Sequence, residues 1–289
     1  MRKLFASLTV LGAALWGAPA AIAAGLGQPV EWQMNLQQAA TPVMEFIRDF
    51  HNGLLILITV ICLVVAALLI WVCVKFNAKA NPVASRTTHN TLVEVIWTVV
   101  PIIILIGIAI PSFRLLYLQR DFPAPEMTVK AIGNQWFWSY EYPEHDVSFD
   151  QYLKTKAELK DGEPYLLATD TEVVVPVNKI VRVIVTANDV LHSWTIPSFG
   201  SKIDAVPGRL NETWFKAEKE GIYYGQCSEL CGKDHAYMPI SVRVVSEDEY
   251  NTWLATAKTA GVEQAQQQLA AILKTKGKLA LGAAGASAN

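Results

Sequence analysis

The sequence predicts a membrane-anchored protein: an N-terminal two-helix transmembrane hairpin carrying an all-β Greek-key domain on its extracytoplasmic side. Three observations support this. Residues 54–74 and 95–113 contain no charged side chain, although charged residues make up 17% of the 289-residue chain. The stretch joining them, residues 75–91, carries Lys75, Lys79 and Arg86 and no acid. Past Asp121 the apolar pattern changes to period two, the period of a half-buried strand.

The first 23 residues read as a secretory leader. Arg2 and Lys3 form a basic start, residues 4–16 an apolar run, and Ala21-Ile22-Ala23 offers small residues at alternating positions. Gly12, Gly17 and Pro19 interrupt a run already short for ~30 Å of hydrocarbon. Residues 24–49 then form an extracytoplasmic segment, and the hairpin occupies residues 50–118. Its first span, 54–74, is 21 uncharged residues, enough to cross the bilayer core at ~1.5 Å per residue. The second runs from about residue 93 to 116 with Pro101 inside it, which a packed membrane helix tolerates. Trp71 and Trp97 sit near the loop-side ends, where aromatic rings anchor. The basic loop is cytoplasmic by the positive-inside rule, so both chain ends lie outside, in agreement with the leader. Glu94 stands in the first turn of the second span, either as a charge favoured by the helix dipole or as a proton-handling group facing a partner.

Residues 121–246 read as the β domain. Strand candidates are 127–132, 135–142, 171–177, 179–186, 192–196, 212–217, 222–226 and 241–245, separated by Asn188-Asp189, Pro207-Gly208 and Glu220-Gly221 turns. Seven to nine short strands in this length make a sandwich or barrel. A helix follows over 247–260, with three acids in its first turn and an apolar stripe of Tyr250, Trp253 and Leu254. The Ala/Gln-rich end, 261–289, reads as a low-complexity tail, disordered or trimmed. Residues 121–245 hold 18 carboxylates against 12 Lys and Arg. That acidic balance argues against nucleic acid and suits a basic protein partner.

The four cysteines are of two kinds. Cys62 and Cys73 lie inside the first span, where a thiol behaves as a small hydrophobe. Cys227 and Cys231 share a loop with His235 and Met238, four soft or borderline donors within twelve positions. Thiolate, imidazole and thioether together select copper, whereas oxygen-loving ions want carboxylates and zinc has little use for Met. His192 is the distant histidine best placed to complete the set; His51 and His89 lie at membrane helix ends and His145 in an acidic loop. A Cys227–Cys231 disulfide is the plain alternative in an oxidising compartment. It would leave His235 and Met238 unexplained. Two cysteines where a mononuclear blue site needs one point to two metals bridged by thiolates.

Five motifs resemble subunit II of haem–copper cytochrome c oxidase: Gln226-Cys-Ser-Glu-Leu-Cys-Gly with His235 and Met238; Asp189-Val-Leu-His-Ser-Trp; Asp204-Ala-Val-Pro-Gly-Arg-Leu; Gly133-Asn-Gln-Trp-Phe-Trp-Ser-Tyr-Glu-Tyr; and Val93-Glu-Val-Ile-Trp-Thr-Val-Val-Pro. The resemblance implies a cupredoxin-like fold holding a dinuclear copper A centre on His192, Cys227, Cys231, His235, Met238 and the carbonyl of Glu229. It implies that the Glu229 side chain binds Mg²⁺ or Mn²⁺ at the interface with subunit I. Trp136 falls on the tryptophan that receives electrons, Glu141, Asp150 and Asp189 on the cytochrome c docking surface, and Glu94 on the proton-path carboxylate. The implied partners are subunits I and III, cytochrome c and membrane lipid. The implied role is to accept electrons from cytochrome c and pass them to haem in subunit I. Reduction of oxygen to water, coupled to proton pumping, occurs in the complex and not in this chain alone. The implied place is the bacterial inner membrane, with the copper domain and both termini in the periplasm.

Overall fold

A computed structural model describes residues 26–286, with side chains through Gly277. The leader expected over residues 1–23 lies outside the described residues. Two compact units result: residues 45–121, and a second that joins residues 26–44 to the chain from residue 122 onward.

The first unit contains most of α1 (Pro42–Lys75) and all of α2 (Thr91–Arg120). Asn90 starts α2, its side chain accepting from the Val93 N–H at 3.2 Å. Asn77 ends α1 by donating to the carbonyls of Cys73 and Val74. Both helices are long and apolar enough to cross a membrane, and their Leu, Ile and Val side chains point outward all along the spans. With 34 residues α1 is about 51 Å long, well beyond ~30 Å of hydrocarbon. The excess is its polar first part, where Glu45, Arg48 and Asp49 stand, so the helix outruns the apolar segment that marks it in the sequence. Pro101 and Pro111 are both accommodated within α2.

The second unit is a two-sheet sandwich. One sheet has the order β3-β2-β1-β5-β8 and the other β4-β10-β9-β6-β7. The strands are β1 (Met127–Asn134), β2 (Phe137–Tyr142), β3 (Val147–Gln151), β4 (Val173–Pro176), β5 (Ile180–Ala187), β6 (His192–Ile196), β7 (Ser201–Ala205), β8 (Asn211–Lys216), β9 (Gly221–Cys227) and β10 (Pro239–Val245). Period-two alternation sets their facing: in β5, Val181, Val183, Val185 and Ala187 point inward and alternate with half-buried neighbours. They meet Trp138, Tyr140, Trp194, Phe199, Phe215 and Tyr223 in one continuous core. Both sheets are mixed: β1 pairs parallel with β5 in the first, and β4 pairs parallel with β10 in the second. Trp194 Nε1 donates to the Tyr140 hydroxyl between the layers at 3.3 Å.

Two helices follow, α3 (Glu247–Ala260) and α4 (Val262–Ala286). Ser246 and Glu249 make a reciprocal capping box at the start of α3. The helix α4 corrects the expectation of a disordered tail after Gly261. Ala265 and Leu269, one turn apart, are buried against the sandwich core. Gln266 donates to the Glu172 carbonyl at 2.6 Å, and Lys276 reaches Glu220 at 2.7 Å and Glu249 at 3.1 Å.

Candidate metal centre

β6 and β9 are neighbours in the second sheet, and their pairing sets Trp194 opposite Cys227. His192, at the start of β6, therefore comes to lie beside the loop between β9 and β10. The donor atoms of His192, Cys227 and Cys231 all fall within 4.8 Å of one another. Cys227 Sγ lies 3.8 Å from His192 Nδ1, 3.9 Å from Cys231 Sγ and 3.3 Å from the Glu229 carbonyl oxygen. Cys231 Sγ lies 3.5 Å from both His235 Nδ1 and Met238 Sδ. All six groups picked out in the sequence thus converge at one end of the sandwich. The disulfide alternative fails, since the sulfurs stand at nearly twice the ~2.05 Å of an S–S bond and both thiols are free.

Four of the five donor side chains are buried, and His235 is half-buried. His192 is 0% exposed, Met238 1% and Cys231 4%. The His192 Nε2 faces Asp189 Oδ1 at 2.8 Å. A carboxylate can only accept, so Nε2 carries the proton and Nδ1 presents its lone pair to the sulfurs. Burial opposes charge on His192, but the Cys227 sulfur and the Asp189 carboxylate outweigh it and hold the ring above its ordinary pKa. Burial likewise raises the Asp189 carboxyl, and bonds from His192, Val190 N–H and Gln135 N–H overcome it to hold it low. The thiols diverge. Burial pushes Cys227 up, but hydrogen bonding to His192 and to the Glu229 and Ser193 backbone brings it below its ordinary value. Cys231 is pushed up, by burial and then by the adjacent Cys227 charge. One negative sulfur suppresses the next, which a cation between them would reverse.

The donor set fits copper. Two thiolates, two imidazoles and a thioether within van der Waals reach form a soft cage, and sulfurs 3.9 Å apart are close enough for one ion to touch both. No carboxylate oxygen stands among these donors, as a hard cation would need.

Gln135 and Trp136, from the turn between β1 and β2, close the site from the other sheet. Gln135 Nε2 and Trp136 Nε1 both donate to the Cys231 carbonyl, at 2.8 and 3.3 Å. Lys233 lies over the Trp136 ring, 5.5 Å from its centre. Gly133 and Gly232 are required by close approach: a Cβ on Gly133 would meet the His192 ring at 2.8 Å, and one on Gly232 would meet Trp136 at 2.9 Å.

The other residues singled out in the sequence are spread more widely. Glu141 on β2 pairs with Lys130 at 2.9 Å. Asp150 on the neighbouring β3 accepts from Ser139 at 2.6 Å. Asp189 faces inward chemically, with both oxygens occupied by His192, Val190 and Gln135. The Glu229 side chain is exposed. Glu94 belongs to the helical unit, where its carbonyl accepts from Thr98. Gln135 and the bond between Asp189 and His192 were not legible as site features, although the Asp189–His192 spacing of three across a turn was a usable hint.

Comparison with known proteins gives one consistent result. The family model described as cytochrome c oxidase subunit II, periplasmic domain, matches residues 127–245, and that for the subunit II transmembrane domain matches residues 29–115. The chain is 48% identical over 245 residues to a probable cytochrome c oxidase subunit 2 of Rickettsia bellii, covering 84% of this chain and 91% of that one. It is 44% identical over 251 residues to cytochrome c oxidase subunit 2 of Cereibacter sphaeroides, covering 81% and 83%. Among solved structures it is similar to the periplasmic domain of subunit II of cytochrome oxidase of Bradyrhizobium japonicum. There the identity is 56%, over 47% of this chain and 96% of that one, with a TM-score of 0.45.

Proposed function

The chain belongs to the cytochrome c oxidase subunit II family, and we propose that it is the subunit through which electrons from cytochrome c reach haem in subunit I. The observation that carries this reading is the convergence of His192, Cys227, Cys231, His235 and Met238, with Trp136 hydrogen-bonded to the Cys231 carbonyl. Copper A bound to these residues and to the Glu229 carbonyl would supply a one-electron redox centre.

The residues of the chain do the positioning. Asp189 fixes the His192 tautomer, and the sandwich end buries four of the five donor side chains. Trp136 offers a half-buried ring between solvent and the Cys231 backbone, the place where a donor's haem edge can approach. Glu141 and Asp150 put negative charge on one sheet edge, which steers a basic cytochrome c to it. Asp189 adds its charge to that surface while serving His192. The exposed Glu229 carboxylate is available to a Mg²⁺ or Mn²⁺ ion at the contact with subunit I. Glu94, in the first turn of α2, serves as the proton-path carboxylate. The two spans anchor the chain in a bacterial inner membrane beside subunits I and III, with the β unit and both termini on the periplasmic side. Oxygen reduction and proton pumping belong to the assembled complex, and this chain alone has no oxidase activity.

The test is copper loading of the full-length chain in detergent. Two coppers per chain sharing one delocalised unpaired electron by electron paramagnetic resonance is the expected result. One copper, or none, overturns the reading.

A further inference from the structure

We propose that Lys202, acting with the Ser193 hydroxyl, is a positioning residue for the metal centre, holding the start of the ligand loop from the outer face of the sheet. The proposal rests on the reading of the site as a copper centre. The register of β6 on β7 sets Ser193 opposite Asp204 and Thr195 opposite Lys202. His192 and Trp194 turn inward, so Ser193 between them points to the other face, where it is nevertheless 0% exposed. Its hydroxyl donates to Asp204 Oδ1 at 2.9 Å and accepts from Lys202 Nζ at 3.0 Å. The same ammonium reaches past β6 and donates to the Ser228 carbonyl at 3.3 Å.

The groups held in this way are those that place the ligands. Ser193 bonds through its backbone N–H to the Cys227 sulfur and through its carbonyl to the Ser228 N–H at 3.0 Å. Ser228 joins Cys227 to Glu229, whose carbonyl oxygen lies 3.3 Å from the Cys227 sulfur. Lys202 therefore ties β7 to β6 and to the residue after β9, at the point where the chain leaves the sheet to form the loop. Hydrogen bonds from a charged donor are roughly twice as strong as neutral ones. The Lys202 and Asp204 side chains are 51% and 57% exposed, so water screens their charges and the hydrogen bonds carry most of the effect.

Three measurements on the full-length chain in detergent test this. They compare Lys202→Met, which keeps the apolar stem and loses the ammonium, with Lys202→Arg, which restores a cationic donor. In the copper-free chain, amide hydrogen exchange of the peptide spanning residues 227–231 is expected to quicken about tenfold in Lys202→Met, because the Ser228 N–H is freed. In the copper-loaded chain, Lys202→Met is expected to give up its metal to a chelator about tenfold faster than the parent. Its midpoint potential should shift downward, since an electron added to the centre is no longer favoured by a cation at the loop. Lys202→Arg should return the potential and the copper retention towards the parent. Unchanged exchange in Lys202→Met overturns the proposal. So does an unchanged potential, or an Arg variant as far from the parent as the Met variant. A chain that takes no copper at all counts against the copper centre, and hydrogen exchange still decides whether Lys202 holds the loop.

Discussion

Asp189 Oδ1 stands 2.8 Å from His192 Nε2, and the other oxygen of the same carboxylate accepts from the Gln135 N–H at 2.7 Å. One side chain thus fixes the histidine from β6 and the β1–β2 turn that carries Trp136. Outer partners of this kind commonly contribute 10–100-fold in metal affinity. Asp189→Asn keeps the shape but can present an N–H to His192, inviting the wrong tautomer. Copper affinity is expected to fall about tenfold or more, measured by competition with a chelator. An affinity within twofold of the parent would assign Asp189 to the docking surface alone.

Gly133 gives a second handle on the same ring. Its absent side chain is what lets His192 lie against β1, with the nearest ring atoms 2.8 Å from where a Cβ would be. Gly133→Ala must push the imidazole aside or bend the strand, and such overpacking typically costs about 1–3 kcal/mol. The expected outcome is a folded chain with a lowered melting temperature and weaker copper retention on dialysis. Unchanged retention would mean that the ring has more freedom than its 0% exposure implies.

Trp136 is expected to act in electron uptake without shaping the metal site. Its ring touches the site through one hydrogen bond to a backbone carbonyl, which Gln135 also supplies. Trp136→Gln should therefore leave the copper spectrum intact and slow reduction by cytochrome c about tenfold or more in stopped flow. A normal rate would remove the assignment.

The parts of this molecule visible in the sequence are those in which the side chains report their own surroundings. Twenty-one uncharged residues in a row have few fates other than a membrane, and the Val/Ile alternation of β5 marks a strand buried on one face. β3 and β7, each last in its sheet, are hard to read from the sequence because each is five residues long and more than half polar. Such strands carry polar outward residues, here Ser148, Asp150, Lys202 and Asp204. Helix α4 was hidden for the opposite reason. Its packing needs little more than Ala265 and Leu269, and a run of Ala and Gln around them looks like filler. In the site, the Cys227–Met238 loop was legible because its donors are crowded within twelve positions. The hydrogen bonds of Gln135 to Asp189 and to Cys231 join residues 54 and 96 apart and follow only from the sheet order.

Helix α4 also makes a prediction about pH. Lys276 on α4 pairs with Glu249 of the α3 capping box at 3.1 Å. Burial raises the Glu249 carboxyl, but bonds from the Ser246 backbone and hydroxyl and from Lys276 prevail, holding its pKa below the ordinary value of 4.5. A carboxyl depressed by folding adds stability above its unfolded pKa and loses it as pH falls through the lower, folded one. Glu249→Gln should therefore be less stable than the parent at pH 7, by about 1 kcal/mol, the scale of a capping interaction. The gap should narrow as the pH falls below the ordinary carboxylate range and through the lowered folded pKa, where the parent's own carboxyl takes up its proton. Thermal unfolding of both proteins, followed by near-ultraviolet circular dichroism at pH 7 and pH 3.5, reads this directly, because Trp253 and Tyr250 of α3 are buried in the same core. A gap of the same size at both pH values would show that Glu249 acts through packing and not through its charge.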